Sequence, residues 1–538
     1  MVEFEHALLL LLLIAALGAV TRWLPWPAPI TYLIGGTAAA LLPGFPRLQL
    51  DPGFFFLCFL PPLLFSDGWL MPLREFVRAR RPIFLLAVGL VAFTTLAVGL
   101  VVHLLVPDLP LAMGFALGAI VSPTDAVAVN AITERLHVPA RLTTILNGES
   151  LMNDATGLVA FKYALAAAIA GTFSFRALLG DFAFVALVGL VVGLGLGYLV
   201  GRLRDFLRHL QASDAYIETT LSLMTPYAAY LAAEHLGVSG ILAVVAAGLY
   251  SGWRDPVHMD AETRQSAFAV WSLVIFWLNG IAFALLGLQV PTIVRSVTDH
   301  YSTLQLIGLT FGVSAAAVLA RLVWVFPGTY LPYLLKEVRR NEVPPPPGAV
   351  FVVGWAGMRG TVTLAAALSI PLTLPTGQPL PGRDLVVFLA LGVIAVTLLV
   401  QGTTLEWFIR RLGIPEDANR PREELLARRT AVEAGLQALR ALNESANTQE
   451  KRASLDAVID EYDRRLAALT AQGETRSRAR SRRRAGHHYR TVALHAERRA
   501  LDELWRGGAI IDEVYRPLQQ LLDYEESLLR TTPNDSED

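Results

Sequence analysis

The stretch from Asn147 to Asp154 gathers oxygen-bearing side chains at the start of an otherwise apolar run. Glu149 and Asn153 are four residues apart, as are Ser150 and Asp154, and such pairs share a helix face. The stretch therefore presents two carboxylates, an amide and a hydroxyl on one polar strip. These hard oxygen atoms suit an alkali cation better than zinc or copper. A structural polar seam is the alternative, but two carboxylates argue against it because burial opposes their charged forms.

A third carboxylate, Asp125, follows a proline inside another apolar run. Pro123 has no N–H to donate and disfavours helix at Ser122, so we expect the helix to break here. Thr124 and Asp125 then stand near the start of a second half-helix, where free N–H groups and the helix dipole favour an anion. They could simply cap a kinked helix, and capping is compatible with binding a cation.

Three basic residues lie in apolar surroundings. Arg321 is deep inside its segment, where an unpaired cation costs about 2.5–3.5 kcal/mol on insertion, so it needs a carboxylate. Glu149 is the first choice, although Arg359 could take that carboxylate and Arg321 could extend to the inner surface. Arg359 lies in a glycine-rich stretch, where it could neutralise helix-dipole ends, line an inner cavity or anchor the helix. Lys162 is expected to extend to the membrane surface.

The composition of the chain indicates a membrane protein. Of its 538 residues, 54% are hydrophobic and only 17% are charged, against about a quarter charged in soluble domains. Apolar runs of about 20 residues, the length of a membrane-spanning helix, recur until residue 409. We therefore expect a transmembrane domain over 1–409 and a cytoplasmic helical tail over 410–538 that is regulatory or stabilises a dimer. The single cysteine, Cys58, excludes an intrachain disulfide framework.

Thirteen apolar segments can be counted, which puts the two termini on opposite sides of the membrane. Arginine and lysine are enriched in cytoplasmic loops. With the N-terminus outside, the loops predicted inside hold fifteen of these residues and those predicted outside hold four. We therefore expect a multi-pass protein of the inner cell membrane with a cytoplasmic C-terminus. The segments are 7–24, 29–45, 53–67, 83–106, 111–132, 141–170, 177–201, 215–236, 239–251, 268–290, 302–328, 349–371 and 384–409.

The segment count also fits two inverted repeats of six helices joined by the seventh, an arrangement common in secondary transporters. The fifth and twelfth segments then correspond, and both contain helix breakers: Pro123 in the fifth, and Gly354, Gly357 and Gly360 in the twelfth. The repeat rests on hydropathy and breaker position, because the residues of the two halves show no clear similarity. Transporters of this kind bind their substrate near the membrane midplane on interrupted helices.

Four separated motifs resemble the sodium–proton antiporters of the monovalent cation:proton antiporter-1 family, and most closely their bacterial branch. The resemblance spans roughly residues 1–410, with similar order and spacing. It implies a homodimer in which each protomer has a dimerisation part and a core part with crossing interrupted helices. The motifs are Phe59–Leu63 with Asp67 and Gly68, Ser122–Val129, Asn147–Asp154 and Gly354–Gly360.

The resemblance also implies roles for individual residues. Asn153 is expected to brace the crossing region, and Glu149 to pair with Arg321. Family members with an Asn-Asp pair, here Asn153 and Asp154, are associated with electroneutral one-for-one exchange. The ion ligands that it implies are carboxylate, hydroxyl and backbone oxygens of Asp125, Ser150, Asp154 and Thr124.

Asp154 is the candidate for a carboxylate that binds either a cation or a proton and never both. Burial favours its protonated form and a bound cation favours the carboxylate, so loading one expels the other. The expected activity is exchange of Na⁺, or of Li⁺ or K⁺, for H⁺ by alternating access, serving pH and sodium homeostasis without a cofactor or nucleic acid. A cation channel is one alternative. An intramembrane aspartyl protease is another, but Gly193-Leu-Gly195 is followed by leucine and not by aspartate.

Beyond residue 410 the chain becomes polar, with apolar residues at helical spacing. This pattern favours amphipathic helices that pack on one another or on a second protomer. The run Arg476–Arg484, followed by His487 and His488, is strongly basic. It could be a solvated linker, a contact with anionic lipid or a histidine pH sensor. The apolar positions include Leu425, Val432, Leu436, Leu439 and Leu442.

Overall fold

The computed structural model describes most of the chain and divides it into two compact units, Met1–Asp417 and Ala418–Asp538. The described residues are 2–43 except 25, 52–170 except 134 and 137, 175–334, 343–414 except 375, 420–444, 448–470 and parts of 490–526.

The described part of the first unit is helical and contains no β-strand. Six of its helical stretches are long and apolar enough to cross a membrane by length and composition, among them Arg80–Leu105 and Arg383–Arg411. This agrees with the all-helical membrane fold expected from the sequence. The helices are α1 (Val2–Thr21), α2 (Ala28–Ala40), α3 (Pro52–Leu70), α4 (Leu73–Arg78), α5 (Arg80–Leu105), α6 (Leu111–Val121), α7 (Ala126–Thr133), α8 (Ala140–Ala170), α9 (Phe175–His209), α10 (Ala215–His235), α11 (Gly240–His258), α12 (Ala261–Thr298), α13 (Thr303–Tyr330), α14 (Pro347–Trp355), α15 (Thr361–Leu368) and α16 (Arg383–Arg411).

These helices pack as two bundles. One, called the scaffold bundle here, consists of α1–α3 and α9–α12, with α2 against α12 and α11 between α3 and α9. The other, the core bundle, consists of α5–α8 and α13–α16, with α6 between α5 and α8. The fifth and twelfth apolar segments are each broken, into α6 and α7 and into α14 and α15, so the predicted interruptions are confirmed.

Four consecutive helices begin at a residue whose side chain caps free backbone N–H groups. Asp214 accepts from the N–H of Ile217 at 2.8 Å and Asp260 from that of Thr263 at 2.8 Å. The hydrogen bonds from the side chain and the backbone of Thr263 hold the pKa of Asp260, which lies just outside its membrane span, below its usual value. Each cap stabilises its helix by about 1 kcal/mol. Ser239 caps α11, and Ser302 forms a capping box with Gln305 at the start of α13.

Glycines allow the scaffold helices α2 and α12 to approach backbone to backbone. A Cβ atom on Gly36 would lie 3.0 Å from the carbonyl carbon of Ala284, and one on Gly287 would lie 2.7 Å from the backbone nitrogen of Thr37. Small residues at such contacts are typical of membrane helices, where close packing replaces the hydrophobic effect as the driving force.

Several helices continue past the ends expected from hydropathy. The seventh and ninth segments were expected to end at 201 and 251, but α9 reaches His209 and α11 reaches His258. Ion pairing explains the extra turns. Arg204 is only 1% exposed and donates to both carboxylate oxygens of Asp255, at 3.0 and 3.1 Å, while the indole of Trp69 donates to the same carboxylate at 3.1 Å. Arg204, which was predicted in an inner loop, is therefore buried in a helix.

The second unit contains the helices α17 (Arg420–Glu444) and α18 (Gln449–Thr470), which pack against each other. Arg440 pairs with Asp463 at 3.0 Å, and Asn443 donates to Asp456 at 2.8 Å. The basic run Arg476–Arg484, with His487 and His488, lies outside the described residues.

Candidate functional site

The two broken helices cross in the core bundle. The link between α6 and α7 covers residues 122–125, and the link between α14 and α15 covers residues 356–360. They touch directly, because the N–H of Asp125 donates to the carbonyl of Met358 at 2.7 Å. Gly157 of α8 lets the first link fit closely, since a Cβ atom there would lie 2.5 Å from the ring of Pro123. The crossing thus brings α8 against both half-helices.

Asp125 lies at the centre of this crossing. Its Oδ1 accepts from the N–H of Val127 at 2.8 Å and so caps α7. Its Oδ2 is buried and, among the described residues, has no hydrogen-bond partner. Burying an oxygen without a hydrogen-bond partner or a bound cation costs free energy. One carboxylate oxygen therefore caps the half-helix, and the other remains for a cation or a proton.

Ser150 and Asn153 tie α8 to the same link. The Ser150 hydroxyl donates to the carbonyl of Thr124 at 2.6 Å and accepts from the N–H of Ala126 at 3.2 Å. The Asn153 amide donates to the Thr124 hydroxyl at 2.9 Å and accepts from the backbone N–H of Thr124 at 3.5 Å. Asn153 and Ser150 therefore both hydrogen-bond α8 to the first link. Only one lone pair of the Ser150 hydroxyl is left to face a ligand.

Asp154 lines a small cavity beside the crossing, together with Asp125, Thr124 and Ser150. Its side chain is 5% exposed. The cavity measures about 30 Å³, which is enough for at least one water molecule. The four side chains that the family resemblance associated with the ion thus meet at one place. The cavity has room for a small cation.

A further carboxylate, Asp67 of α3, lines the same cavity, and Asn279 of α12 lies on its wall. Both belong to the scaffold bundle, whereas Asp125 and Asp154 belong to the core bundle. In the sequence, Asp67 stands out only as part of a motif, and no role was predicted for it. A signal was present, because Asp67 is the one charged side chain of the apolar stretch 52–70.

The carboxylates surround the cavity without forming a tight cluster. Within the described part of the chain, no group of three His, Cys, Asp or Glu side chains approaches closely enough to hold a metal ion. A hard cation bound here would take hydroxyl, carbonyl or water oxygens beside the carboxylates.

Arg321 of α13 pairs with Glu149 of α8 in the interior of the core bundle. Its guanidinium donates to both carboxylate oxygens, one at 2.8 Å, and the two side chains are 1% and 0% exposed. Arg321 also donates twice to the carbonyl of Val353, at 2.9 and 3.1 Å. One arginine thus connects α8, α13 and the end of α14. Breaking a buried pair of this kind costs about 3–5 kcal/mol.

Arg359 lies in the second link, 1% exposed. Its guanidinium donates to the carbonyl of Val121 at 2.9 Å and to that of Gly357, and its backbone N–H donates to the Thr397 hydroxyl at 3.3 Å. Val121 is the last residue of α6, so the cation lies at the negative end of a half-helix dipole. Lys162, by contrast, is 64% exposed and lies 3.6 Å from Glu234 of the scaffold bundle.

An all-helical membrane domain with two interrupted helices that cross beside a carboxylate-lined cavity is typical of secondary transporters. The family comparison is more specific. Residues 9–411 match the family described as "Sodium/hydrogen exchanger, transmembrane", and the chain belongs to this family. It is therefore a transporter and not an enzyme.

The relatives cover almost the whole chain. A "Sodium, potassium, lithium and rubidium/H(+) antiporter" of Bacillus subtilis is 37% identical over 528 residues, which is 96% of this chain and 77% of the relative. An "Uncharacterized Na(+)/H(+) exchanger YjcE" of Escherichia coli is 34% identical over 98% of both chains. Among solved structures, the sodium proton antiporter MjNhaP1 of Methanocaldococcus jannaschii matches 77% of this chain and 99% of its own, at 19% identity and a TM-score of 0.59, and supports the fold.

Proposed function

We propose that the chain exchanges an alkali cation, Na⁺ in the first instance, for H⁺ at Asp154. Membership of the sodium/hydrogen exchanger family supports cation–proton exchange. The observation on which the site assignment rests is the small cavity shared by Asp154 and the unsatisfied Oδ2 of Asp125.

The proposed chemistry is competition for one carboxylate. A buried carboxylate is stable either as the neutral acid or as the anion beside a cation. When Na⁺ enters the cavity, Asp154 releases its proton, and when the proton returns, Na⁺ loses its strongest ligand. If only the loaded forms change orientation, the two fluxes are coupled. No covalent step is involved.

We assign the ligands by their free oxygen atoms. Oδ2 of Asp125 and the carboxylate of Asp154 supply the charge. The second lone pair of Ser150 and the oxygens of Thr124 supply neutral contacts from the same wall of the cavity. Asp67 faces this set from the scaffold bundle, so it can approach or leave the ion as the bundles move.

Alternating access follows from the division into two bundles. The cavity lies between core residues on one side and Asp67 and Asn279 of the scaffold on the other. A rocking motion of the core bundle would open this boundary first to one side of the membrane and then to the other, as in other transporters with inverted repeats. The buried pair Glu149–Arg321 keeps α8, α13 and α14 together during that motion.

We further propose one-for-one, electroneutral exchange. Asn153, next to Asp154, is neutral, and its amide is engaged with Thr124 on both its donor and acceptor sides. A single titrating carboxylate at this pair carries one positive charge in each direction. K⁺, Li⁺ or Rb⁺ could replace Na⁺, since the Bacillus subtilis relative is named for all four ions.

The remaining assignments follow the sequence predictions. We propose a homodimer in the cell membrane, as the family resemblance implies. We place the N-terminus outside and the C-terminus in the cytoplasm, because arginine and lysine concentrate in the loops assigned to the inside. The cellular role we propose is pH and sodium homeostasis. The charged C-terminal unit is then a cytoplasmic domain that regulates exchange or stabilises the dimer.

The test is a proteoliposome assay with the purified full-length chain and a pH-sensitive dye. We expect addition of Na⁺ outside acid-loaded vesicles to raise their internal pH, with the same rate whether or not K⁺ and valinomycin clamp the membrane potential. Na⁺ flux without a proton flux would indicate a channel. A proton flux that depends on the clamped potential would contradict electroneutral exchange.

A further inference from the structure

The scaffold side of the ion cavity carries two polar side chains. Asp67 of α3 and Asn279 of α12 both line the cavity, and the other lining residues on these two helices, Leu63, Leu64 and Ile275, are apolar. The proposed exchange uses Asp67 as a charge that faces the core ligands and gives Asn279 no role. A polar side chain in the interior of an apolar membrane helix is costly, which marks Asn279 as a functional position.

The ring contacts of Trp271 give the relative depth of the two polar groups. Trp271 packs against Phe65 with ring centroids 5.3 Å apart and against Trp69 at 6.2 Å. These two rings flank Asp67 on α3, so Trp271 lies at the level of Asp67. Asn279 is eight residues further along α12, which corresponds to about 12 Å at the rise of an α-helix. Since α12 begins at the membrane face where α3 ends, which arginine and lysine assign to the cytoplasm, Asn279 lies nearer the outside.

The amide of Asn279 is placed to contact a ligand. Its side chain is 9% exposed, and no hydrogen bond to its amide occurs within the described part of the chain. Because an unpartnered buried amide costs free energy, a ligand that satisfies it is favoured. An amide oxygen is one of the hard donors that suit alkali cations. In contrast to the carboxylate of Asp67, it can contact a cation but has no proton to exchange.

Given exchange at Asp154, on which this inference rests, we propose that Asn279 supplies the scaffold's ligand to the cation in the outward-facing state. Asp67 has the same place in the inward-facing state. When the core bundle carries Asp125 and Asp154 toward the outside, the bound ion moves away from Asp67 and reaches the depth of Asn279. The oxygen of Asn279 then takes over the contact from the scaffold side. Because this oxygen is neutral, it adds no second charge from which the ion must separate on release.

The experiment measures sodium-driven proton flux by the full-length chain in right-side-out and in everted membrane vesicles, from a host without antiporters of its own. These vesicles present the outer and the cytoplasmic face to added Na⁺, and an apparent KM is taken at each face. Asn279→Leu keeps the size of the side chain and removes its oxygen. We expect it to raise the outer-face KM about tenfold, the effect of one lost contact to a charged group, and to leave the cytoplasmic-face KM unchanged. Asp67→Asn should raise the cytoplasmic-face KM instead.

A second variant, Asn279→Asp, keeps an oxygen at the same place and adds a negative charge. It should lower the outer-face KM below the wild-type value, because an opposite charge strengthens cation binding, and it carries the test if Asn279→Leu does not fold. Gln401→Leu is the matched control. Gln401 of α16 is also a buried amide, 1% exposed, without a hydrogen-bond partner among the described residues and absent from the cavity wall. Its removal should leave the KM unchanged at both faces.

Two results would overturn the proposal. The first is an outer-face KM that neither Asn279→Leu nor Asn279→Asp changes. The second is an equal rise of the KM at both faces in Asn279→Leu, which would indicate a general effect on the fold of the site. Failure of the proposed function is distinguishable from both results, because it would remove sodium-driven proton flux from the wild-type chain. Failure of the role of Asn279 would leave the wild-type flux intact.

Discussion

Replacing Gly360 with alanine adds one methyl group where the two interrupted segments come closest. The added Cβ atom would lie 2.6 Å from the Cβ of Asp125 and closer still to its carboxylate, whereas ordinary contacts begin at 3.4 Å. Asp125 must therefore move away from the second link or rotate its carboxylate out of the cavity. Overpacking of this kind costs about 1–3 kcal/mol. If this cost falls on the cation-bound form, Na⁺ affinity drops by roughly one to two orders of magnitude.

The assay is sodium-driven proton flux in proteoliposomes at a series of Na⁺ concentrations, from which an apparent KM is taken. Gly402→Ala is the matched control: it adds the same methyl group in the core bundle, and its nearest neighbour, the sulfur of Met358, lies at 3.4 Å. We expect a raised KM for G360A and a wild-type value for G402A. A wild-type KM for G360A, or equal losses in both variants, would refute the reasoning.

Three further predictions follow from the same geometry. Glu149→Gln leaves Arg321 buried without its carboxylate and should destabilise the protein by about 3–5 kcal/mol, measured as a lowered thermal unfolding temperature. Lys162→Gln breaks an exposed pair and should cost less than about 1 kcal/mol. Equal shifts of the unfolding temperature in the two variants would contradict this prediction. Asp67→Asn removes a negative charge from the scaffold wall of the cavity, so Na⁺ should bind several-fold more weakly while exchange stays coupled; an unchanged KM would exclude Asp67 from the site. Because protonation and cation binding compete, the apparent KM for Na⁺ should rise as pH falls, by at most about tenfold per unit, and a KM independent of pH across the active range would contradict competition.

Much of the site could be predicted from the sequence because its signals are local. Pro123 breaks a helix wherever it occurs in one, and the four-residue spacing of Glu149 with Asn153 fixes a shared face. An arginine buried in an apolar segment must find a carboxylate, and the structure pairs Arg321 with Glu149. These arguments require only the chain itself and the cost of burying charge in a membrane.

The parts that sequence reasoning missed depend on distant contacts. A lone charge in an apolar stretch marks Asp67 as unusual, but its place on the cavity wall depends on the packing of α3 beside the crossing, which the local sequence does not encode. The hydropathy pattern predicts ends for α9 and α11 that are too early. Arg204 and Asp255 are charged and so are expected in solvent, but in the structure they pair with each other. The place of Asn279 on the cavity wall likewise depends on the packing of α12 beside α3.

The central claim is that one carboxylate, Asp154, exchanges the cation for the proton. Its most direct test is sodium-driven proton flux in proteoliposomes containing Asp154→Asn, at a protein density matched to wild type and with folding verified by thermal unfolding. Asparagine keeps the size of the side chain but can neither release a proton nor supply a negative charge. We expect the flux to be abolished in the folded variant. Sodium-driven proton flux that persists in Asp154→Asn would contradict it.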